Sequence, residues 1–341
     1  MNNHTTPTIS RARQPLPLEL LIQIIESVPP NRDALLPPSS IATKTLISLT
    51  RVSRAVYRPA TMVLRQQCMY IDSSRRLGDL LLCMRRFVPS LDPGLQLRHI
   101  TSLYLAPFGS SLDDQPTAMW VRELLCEVCV TLRRLVISMP FSTINPWDDH
   151  LNVRSILRQG LSQLNLEEFA SIGDYPTLSG AGGSTDIWRL WPRLQRLMLF
   201  GVPLESHWLW WDIATLEHLG HVVLVRPRQT ETRVDVKAKY FGTLPAGDER
   251  LQRKLRVVLM HRVRGDDDED GDGGATARRL PQGHPDYLDL DESNWGEVDP
   301  EGRMEVICYG VPRMGAMSSE ELLVRLARSW VETGTLWDAR I

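Results

Sequence analysis

The sequence predicts a mixed α/β protein: a small all-α unit at the N-terminus, followed by an irregular α/β solenoid with a short-stranded parallel sheet. Three observations carry that expectation. Residues 15–71 hold two runs of helical apolar spacing. From about residue 97 a six-residue pattern of the form Leu-x-x-Leu-x-Leu recurs down the chain. Between its copies lie stretches with apolar residues three or four apart. Helix then short strand, repeated, lets each unit bury its apolar face only against its neighbours.

The N-terminal unit comes first. Leu20, Leu21, Ile24, Ile25 and Val28 fall on one face of a helix, and Pro15 and Pro17 fix its entry. A proline-bearing stretch, Pro29–Ser40, follows, and helical spacing resumes with Leu46, Leu49, Val52 and Val56. Such a unit is too short to bury all of its own apolar surface. Leu16-Pro17-x-Glu19-Leu20-x-x-x-Ile24, then Leu46-x-x-Leu49-x-x-Val52-Ser53-Arg54, then Tyr57-x-Pro59-Ala60, together resemble an F-box domain over residues 15–72. The form is similar to that of filamentous-fungal F-box proteins. The resemblance implies a Skp-type adaptor as partner, joining the chain to a cullin-based ubiquitin ligase of the SCF type. It implies apolar contacts to that adaptor from Leu16, Pro17, Leu20, Ile24, Leu49 and Val52, with Glu19 and Arg54 at the polar edge. Pro29–Ser40 departs from the family pattern and puts the interhelical geometry in question, although a longer loop adds little closure entropy.

A helical linker is expected over 73–96, from the pattern Arg75–Val88, and a substrate-recognition domain over 97–341. Its clearest motif copies are Ile100-x-x-Leu103-x-Leu105, Leu132-x-x-Leu135-x-Ile137, Leu194-x-x-Leu197-x-Leu199 and Leu219-x-x-Val222-x-Leu224. Weaker copies are Leu166-x-x-Phe169, Leu255-x-x-Val258-x-Met260 and Met304-x-x-Ile307-x-Tyr309. These resemble leucine-rich repeats in degenerate form. Spacings of about 25 to 36 residues are mostly longer than usual, and Phe108, Pro140, Val202 and Pro227 stand where an asparagine is ordinary. A compact, non-repetitive α/β domain is the alternative. Helices are expected at Met119–Cys129, Val153–Leu164 and about Trp208–Leu219. Residues 265–302 are acidic, rich in Gly and poor in aliphatics, which predicts a mostly disordered insertion. Ser318-x-x-Glu321 opens a final helix with a capping box, expected to close the open end of the solenoid.

The totals narrow the function. The 341 residues carry a net charge of −2, with no basic footprint for nucleic acid, and no apolar run long enough to span a membrane. The polar N-terminus, residues 1–14, lacks a secretory h-region and is expected to be a disordered tail. Five scattered cysteines suit reduced thiols in the cytoplasm or nucleus. Cys126-x-x-Cys129 has no partner pair for zinc and reads as two buried structural thiols. Asp266-x-Asp268-x-Asp270-Gly271 starts like a calcium loop but has Ala277 at the twelfth position. Gly180–Ser184 lacks the Lys-Ser/Thr of a phosphate-binding loop. No catalytic constellation, metal site or cofactor motif emerges, so a non-catalytic receptor subunit with no cofactor is expected.

Half of the ten tryptophans lie between Trp188 and Trp211. Trp208, Trp210 and Trp211 cannot all face one side of a helix, which makes them candidates for gripping a target protein, with core packing as the other reading. The chain is therefore expected to recruit a protein target to a ubiquitin ligase. A protein-interaction scaffold without ubiquitylation is the alternative, and an enzyme on the α/β domain a remote one.

Overall fold

A computed structural model describes residues 17–82, 97–144, 149, 151–178, 186–229, 233–245, 247–262, 288–311 and 318–338. The fold is mixed α/β, with one eight-stranded, all-parallel sheet and ten α-helices among the described residues. The expected N-terminal tail, the glycine-rich Gly180–Ser184 and the calcium-like Asp266–Gly271 lie outside them.

Three helices open the chain: α1 (Leu18–Glu26), α2 (Ile41–Leu49) and α3 (Arg54–Gln67). Pro17 sits at the N-cap of α1, where a missing N–H costs nothing. Ser53 caps α3 by accepting the Val56 N–H at 3.3 Å. Ile25, Leu46, Val56 and Ala60 form a small core of their own, with Leu21, Val28, Leu49 and Val63 around it.

The strands follow in chain order: β1 (Tyr70–Ile71), β2 (Ser102–Leu105), β3 (Arg134–Ile137), β4 (Glu168–Ser171), β5 (Arg196–Phe200), β6 (His221–Val225), β7 (Leu255–Arg262) and β8 (Met304–Val311). Between them run α4 (Ser74–Leu82), α5 (Gln115–Val128), α6 (Val153–Ser162), α7 (His207–Thr215), α8 (Val236–Phe241) and the single turn α9 (Trp295–Val298), and α10 (Ser319–Thr333) comes last. Each expected motif copy supplies one strand, from β2 to β8. Leu103, Leu135, Phe169, Leu197, Val222 and Val257 stand in register across six strands, all buried on the side of the crossover helices.

That register corrects the frame of the last two copies. Val257 and Leu259, not Val258 and Met260, align with Val222 and Leu224. Val306 and Cys308, not Ile307 and Tyr309, continue the column. A slip of one residue exchanges the faces of a strand. These two strands, at eight residues each, are also longer than the short strands expected. β1 lies inside the range expected for the helical unit, so the sheet begins at Tyr70 rather than after residue 97. The expected linker helix is α4, with residues 83–88 outside the described range.

The sheet is covered on both faces. Crossover helices bury one face, and α10 lies across the other. Leu323, Ala327, Val331 and Leu336 pack there against Tyr104, Val136, Ala170, Met198, Phe200 and Val223. The last helix therefore does not close an end of the domain, as its position in the chain suggested. Its capping box is present as expected: Ser318 Oγ accepts the Glu321 N–H at 3.2 Å, and Glu321 reaches back to the Ser318 N–H at 3.3 Å. Over β2 to β7 both sheet faces are apolar because both are buried, whereas the edge strand β8 is largely half-buried or exposed.

Pro29–Ser40 is not a loose loop. Ala34, Leu35 and Leu36 are buried, and Leu35 joins the core beneath α10. The Leu35 N–H donates to Val331 O at 3.0 Å and the Leu36 N–H to Gln67 O at 2.7 Å. The insertion thus ties the helical unit to the sheet and α10 together. A second correction concerns the acidic insertion. Residues 288–302 are folded against α8: Leu290 bridges Val234, and Asp289 exchanges hydrogen bonds with the Gln229 side chain at 2.9 and 3.0 Å. Lys237 donates to the buried Asp299 carboxylate at 2.8 Å, beneath the Trp295 ring.

Candidate functional site

The α1–α3 unit exposes what its core cannot hold. Among the described residues thirteen large hydrophobic side chains are exposed, and seven of them fall between Leu18 and Met62: Leu18, Leu20, Ile24, Ile41, Ile47, Val52 and Met62. The apolar face of α1 splits by helical geometry. Leu21, Ile25 and Val28 point into the core, while Leu20 and Ile24, one turn apart, point out. More than half of the exposed large hydrophobic side chains among the described residues thus sit on one small unit.

The expected adaptor residues divide accordingly. Leu20, Ile24 and Val52 are exposed apolar groups, Val52 at 67%. Pro17, Glu19 and Arg54 are exposed beside them. Leu49 is different: it is half-buried and packs on the unit's own core, so its main work is internal. Leu16 lies outside the described residues. Leu18, Ile41, Ile47 and Met62 belong to the exposed set but escaped the sequence reading. Ile41 opens α2 just after Ser40, a position where an apolar residue has no preceding turn to cover it.

The segment between α1 and α2 is tied to the sheet by a polar clasp. Arg134, Glu168 and Arg196 open three adjacent strands in register. Arg134 Nη1 and Nη2 donate to the Asp33 carbonyl and carboxylate at 2.6 and 2.9 Å, and its Nε donates to Glu168 at 2.8 Å. Arg196 donates to the other Glu168 oxygen at 2.9 Å, and Trp337 Nε1 donates to Glu168 at 3.0 Å. Arg134 and Glu168 are mostly buried, the setting in which charge-assisted bonds hold geometry best. Arg134 thus reaches the loop before α2, while Glu168 joins Arg134 and Arg196 to the segment after α10.

The tryptophan edge resolves into three roles. Trp210 is fully buried, its Nε1 donating to Leu204 O at 2.6 Å, and so it is unavailable to a partner. Trp188 and Trp191 are core residues too. Trp208 is exposed at 69%, and Trp211, half-buried, meets it edge to face at 6.0 Å and carries the Arg189 guanidinium 4.2 Å over its ring. Arg189 also pairs with Asp212 at 2.9 Å. Burial lifts the Asp212 carboxyl to about 7, with Arg189 opposing and Asp186 reinforcing the rise. Burial likewise raises Asp186, which accepts the Tyr175 hydroxyl at 2.5 Å.

The thiols are not the pair that was expected. Cys126 is exposed and Cys129 half-buried, both free; desolvation and the neighbouring Glu123 push the Cys126 thiol upward, away from a reactive thiolate. Among the described residues no group of three or more His, Cys, Asp and Glu side chains could hold a metal ion, and no helix is long and apolar enough to cross a membrane. Compared with known proteins, the chain matches no family model and no curated sequence.

Proposed function

We propose that this chain is a target-recruiting subunit of a cullin-based ubiquitin ligase, with α1–α3 as an F-box that holds a Skp-type adaptor and a leucine-rich-repeat-like domain that holds the target. The observation that carries the reading is the exposed aliphatic set on α1–α3, at positions whose sequence resembles an F-box. Leu18, Leu20, Ile24, Ile41, Ile47 and Val52 supply the apolar contact, with Glu19 and Arg54 beside it. The clasp through Arg134 and Glu168 supports the same reading. A receptor contributes proximity, and proximity requires that adaptor and target be held at a defined separation. The chain itself is then non-catalytic and needs no cofactor. Trp208 and Trp211 are the side chains best placed to grip a target, being large, amphipathic and accessible.

Affinity purification of the full chain from its own cells tests this. Adaptor and cullin recovered together support the ligase reading. Adaptor without cullin supports an adaptor-binding scaffold that acts without ubiquitylation. Neither partner recovered overturns both.

A further inference from the structure

The two edges of the sheet differ. β1 is two residues long, whereas β8 runs for eight and keeps one unbroken register with β7, from Leu255 opposite Met304 to Arg262 opposite Val311. The direction of its backbone groups follows from that ladder. Leu255 N–H donates to Arg303 O at 2.9 Å, while Arg256 N–H turns the other way, to Gly220 O at 2.8 Å. Alternation then aims the odd-numbered residues of β8 at β7 and the even-numbered ones at the free edge. Met304 N–H finds the Asp299 carboxylate at 3.0 Å. Among the described residues, no partner takes up the N–H and C=O groups of Val306, Cys308 or Gly310.

Such an edge is a template for another strand, and proteins commonly blunt it with lysine, proline, a bulge or brevity. β8 uses none of these. Its sequence, MEVICYGV, carries one charged residue, Glu305, already 3.4 Å from Arg256. Ile307, Tyr309 and Val311 are half-buried on one face, and Cys308 and Gly310 are exposed. The strand also complements itself. Set antiparallel about Cys308, Val306 falls opposite Gly310 of the partner subunit, Ile307 opposite the partner's Tyr309, and Glu305 opposite the partner's Val311. No like charges meet, and a branched side chain faces an aromatic one, a favourable cross-strand pair.

We propose that β8 is a self-association edge: two copies of this chain pair antiparallel through Val306–Gly310 about a two-fold axis at Cys308, joining two eight-stranded sheets into one. An axis perpendicular to the sheet uses both long edges at once and leaves only the short β1 edges at the ends, so the assembly closes as a dimer. Even-numbered residues then meet even-numbered ones on the same face, as antiparallel pairing requires. A strand pair covers less than the roughly 1,200 Å² of a standard interface, so the dimer forms reversibly. The edge is separate from α1–α3, and the pairing stands whether or not that surface holds an adaptor.

Sedimentation equilibrium of the full chain, from about 1 μM to about 200 μM, reads the association. The average mass should climb from 38.8 kDa toward twice that value. Cys308→Pro deletes only an outward N–H, a change an edge strand accepts, and should weaken the dimer by at least about tenfold. Ile307→Lys sets a charge against the partner's Tyr309 and should do the same; it decides the matter if Cys308→Pro lowers the melting temperature. Diamide, which oxidises two neighbouring thiols to a disulfide, should link wild-type copies but not Cys308→Ser. Hydrogen-bonded antiparallel pairs hold their Cα atoms about 5.5 Å apart, within disulfide reach. A wild-type chain that stays monomeric throughout leaves the edge to some other strand and overturns the proposal. So does a dimer undiminished in Ile307→Lys, or one that diamide fails to link through Cys308.

Discussion

Gly334→Ala is the sharpest probe of how the helical unit is joined to the rest of the molecule. Gly334 ends α10 in the left-handed region, φ +73°, and its Cα abuts the insertion before α2. A Cβ built there would stand 2.6 Å from Ala34 N and 2.7 Å from the Asp33 carbonyl carbon. Both are backbone atoms, so neither can swing aside. The left-handed conformation costs an alanine about 1–2 kcal/mol. Forcing a methyl into a filled space costs about 1–3 kcal/mol more. Relief by separation would stretch the Asn31 Nδ2 bond to Gly334 O and the Leu35 N–H bond to Val331 O, both 3.0 Å. The expected loss is about 2–5 kcal/mol. Gly302→Ala supplies the control: it has φ +61° with nothing within 4 Å of the new methyl, and should lose only the conformational part, about 1–2 kcal/mol. Urea denaturation followed by tryptophan fluorescence reads both. Should Gly334→Ala cost no more than Gly302→Ala, the insertion does not approach α10 as described, and the fixed junction between the two parts is lost.

Other expected outcomes follow from the buried charges and aromatic rings. Lys237→Met leaves the Asp299 carboxylate buried with only the Arg303 and Met304 N–H groups for company, and should cost about 3–5 kcal/mol in the same denaturation assay. Asp212 has a folded-state value of about 7 against 3.8 for the free side chain. Between those values the native state holds the extra proton, so this group's contribution declines as pH rises toward 7 and is complete only below about 4. Melting temperature should therefore fall less steeply over that interval in Asp212→Asn than in the wild type; equal slopes would exclude Asp212 as the source. Trp210→Ala should cost about 3–5 kcal/mol as a core truncation, and Trp208→Ala, at an exposed site, no more than about 0.5 kcal/mol; similar losses would contradict their assigned places.

The strands were legible in the sequence because one face of each follows the same six-residue motif. The frame of β7 was not, since Val257, Val258, Leu259 and Met260 are all apolar and a two-residue period cannot say which pair faces the helices. β1 is two residues long, too short to carry a pattern. The start and apolar stripe of α10 were evident from Ser318 and Glu321, but a stripe does not name its partner. Its place across the sheet depends on Tyr104, Met198 and Phe200, whose burial on the second face only the assembled sheet reveals. The insertion at Pro29–Ser40 read as a departure from the resembled pattern that put the interhelical geometry in question, yet Leu35 makes it a strut. Residues 288–302 looked too acidic to fold, and three contacts suffice to hold them: the Leu290 bridge, the Asp289–Gln229 pair, and Asp299 against Lys237. At the candidate site, helical periodicity found Leu20 and Ile24 but could not separate them from Leu49, because inward and outward apolar positions look alike until a core is built. The clasp from Arg134 to Glu168 was invisible, its partners lying 34 residues apart in sequence and meeting only through strand register.

The central claim is that the exposed face of α1 is the adaptor surface, and one measurement meets it directly. The affinity of a purified Skp-type adaptor for the full chain should be compared with that for Ile24→Asp and Leu20→Asp. Trp208→Ala, an exposed aromatic on α7, serves as the reference. Both aspartates fall on exposed positions, so folding should survive them, while each should weaken the adaptor complex by at least about 2 kcal/mol, roughly thirtyfold. Trp208→Ala should leave it unchanged. Undiminished adaptor binding by Ile24→Asp and Leu20→Asp would contradict the account.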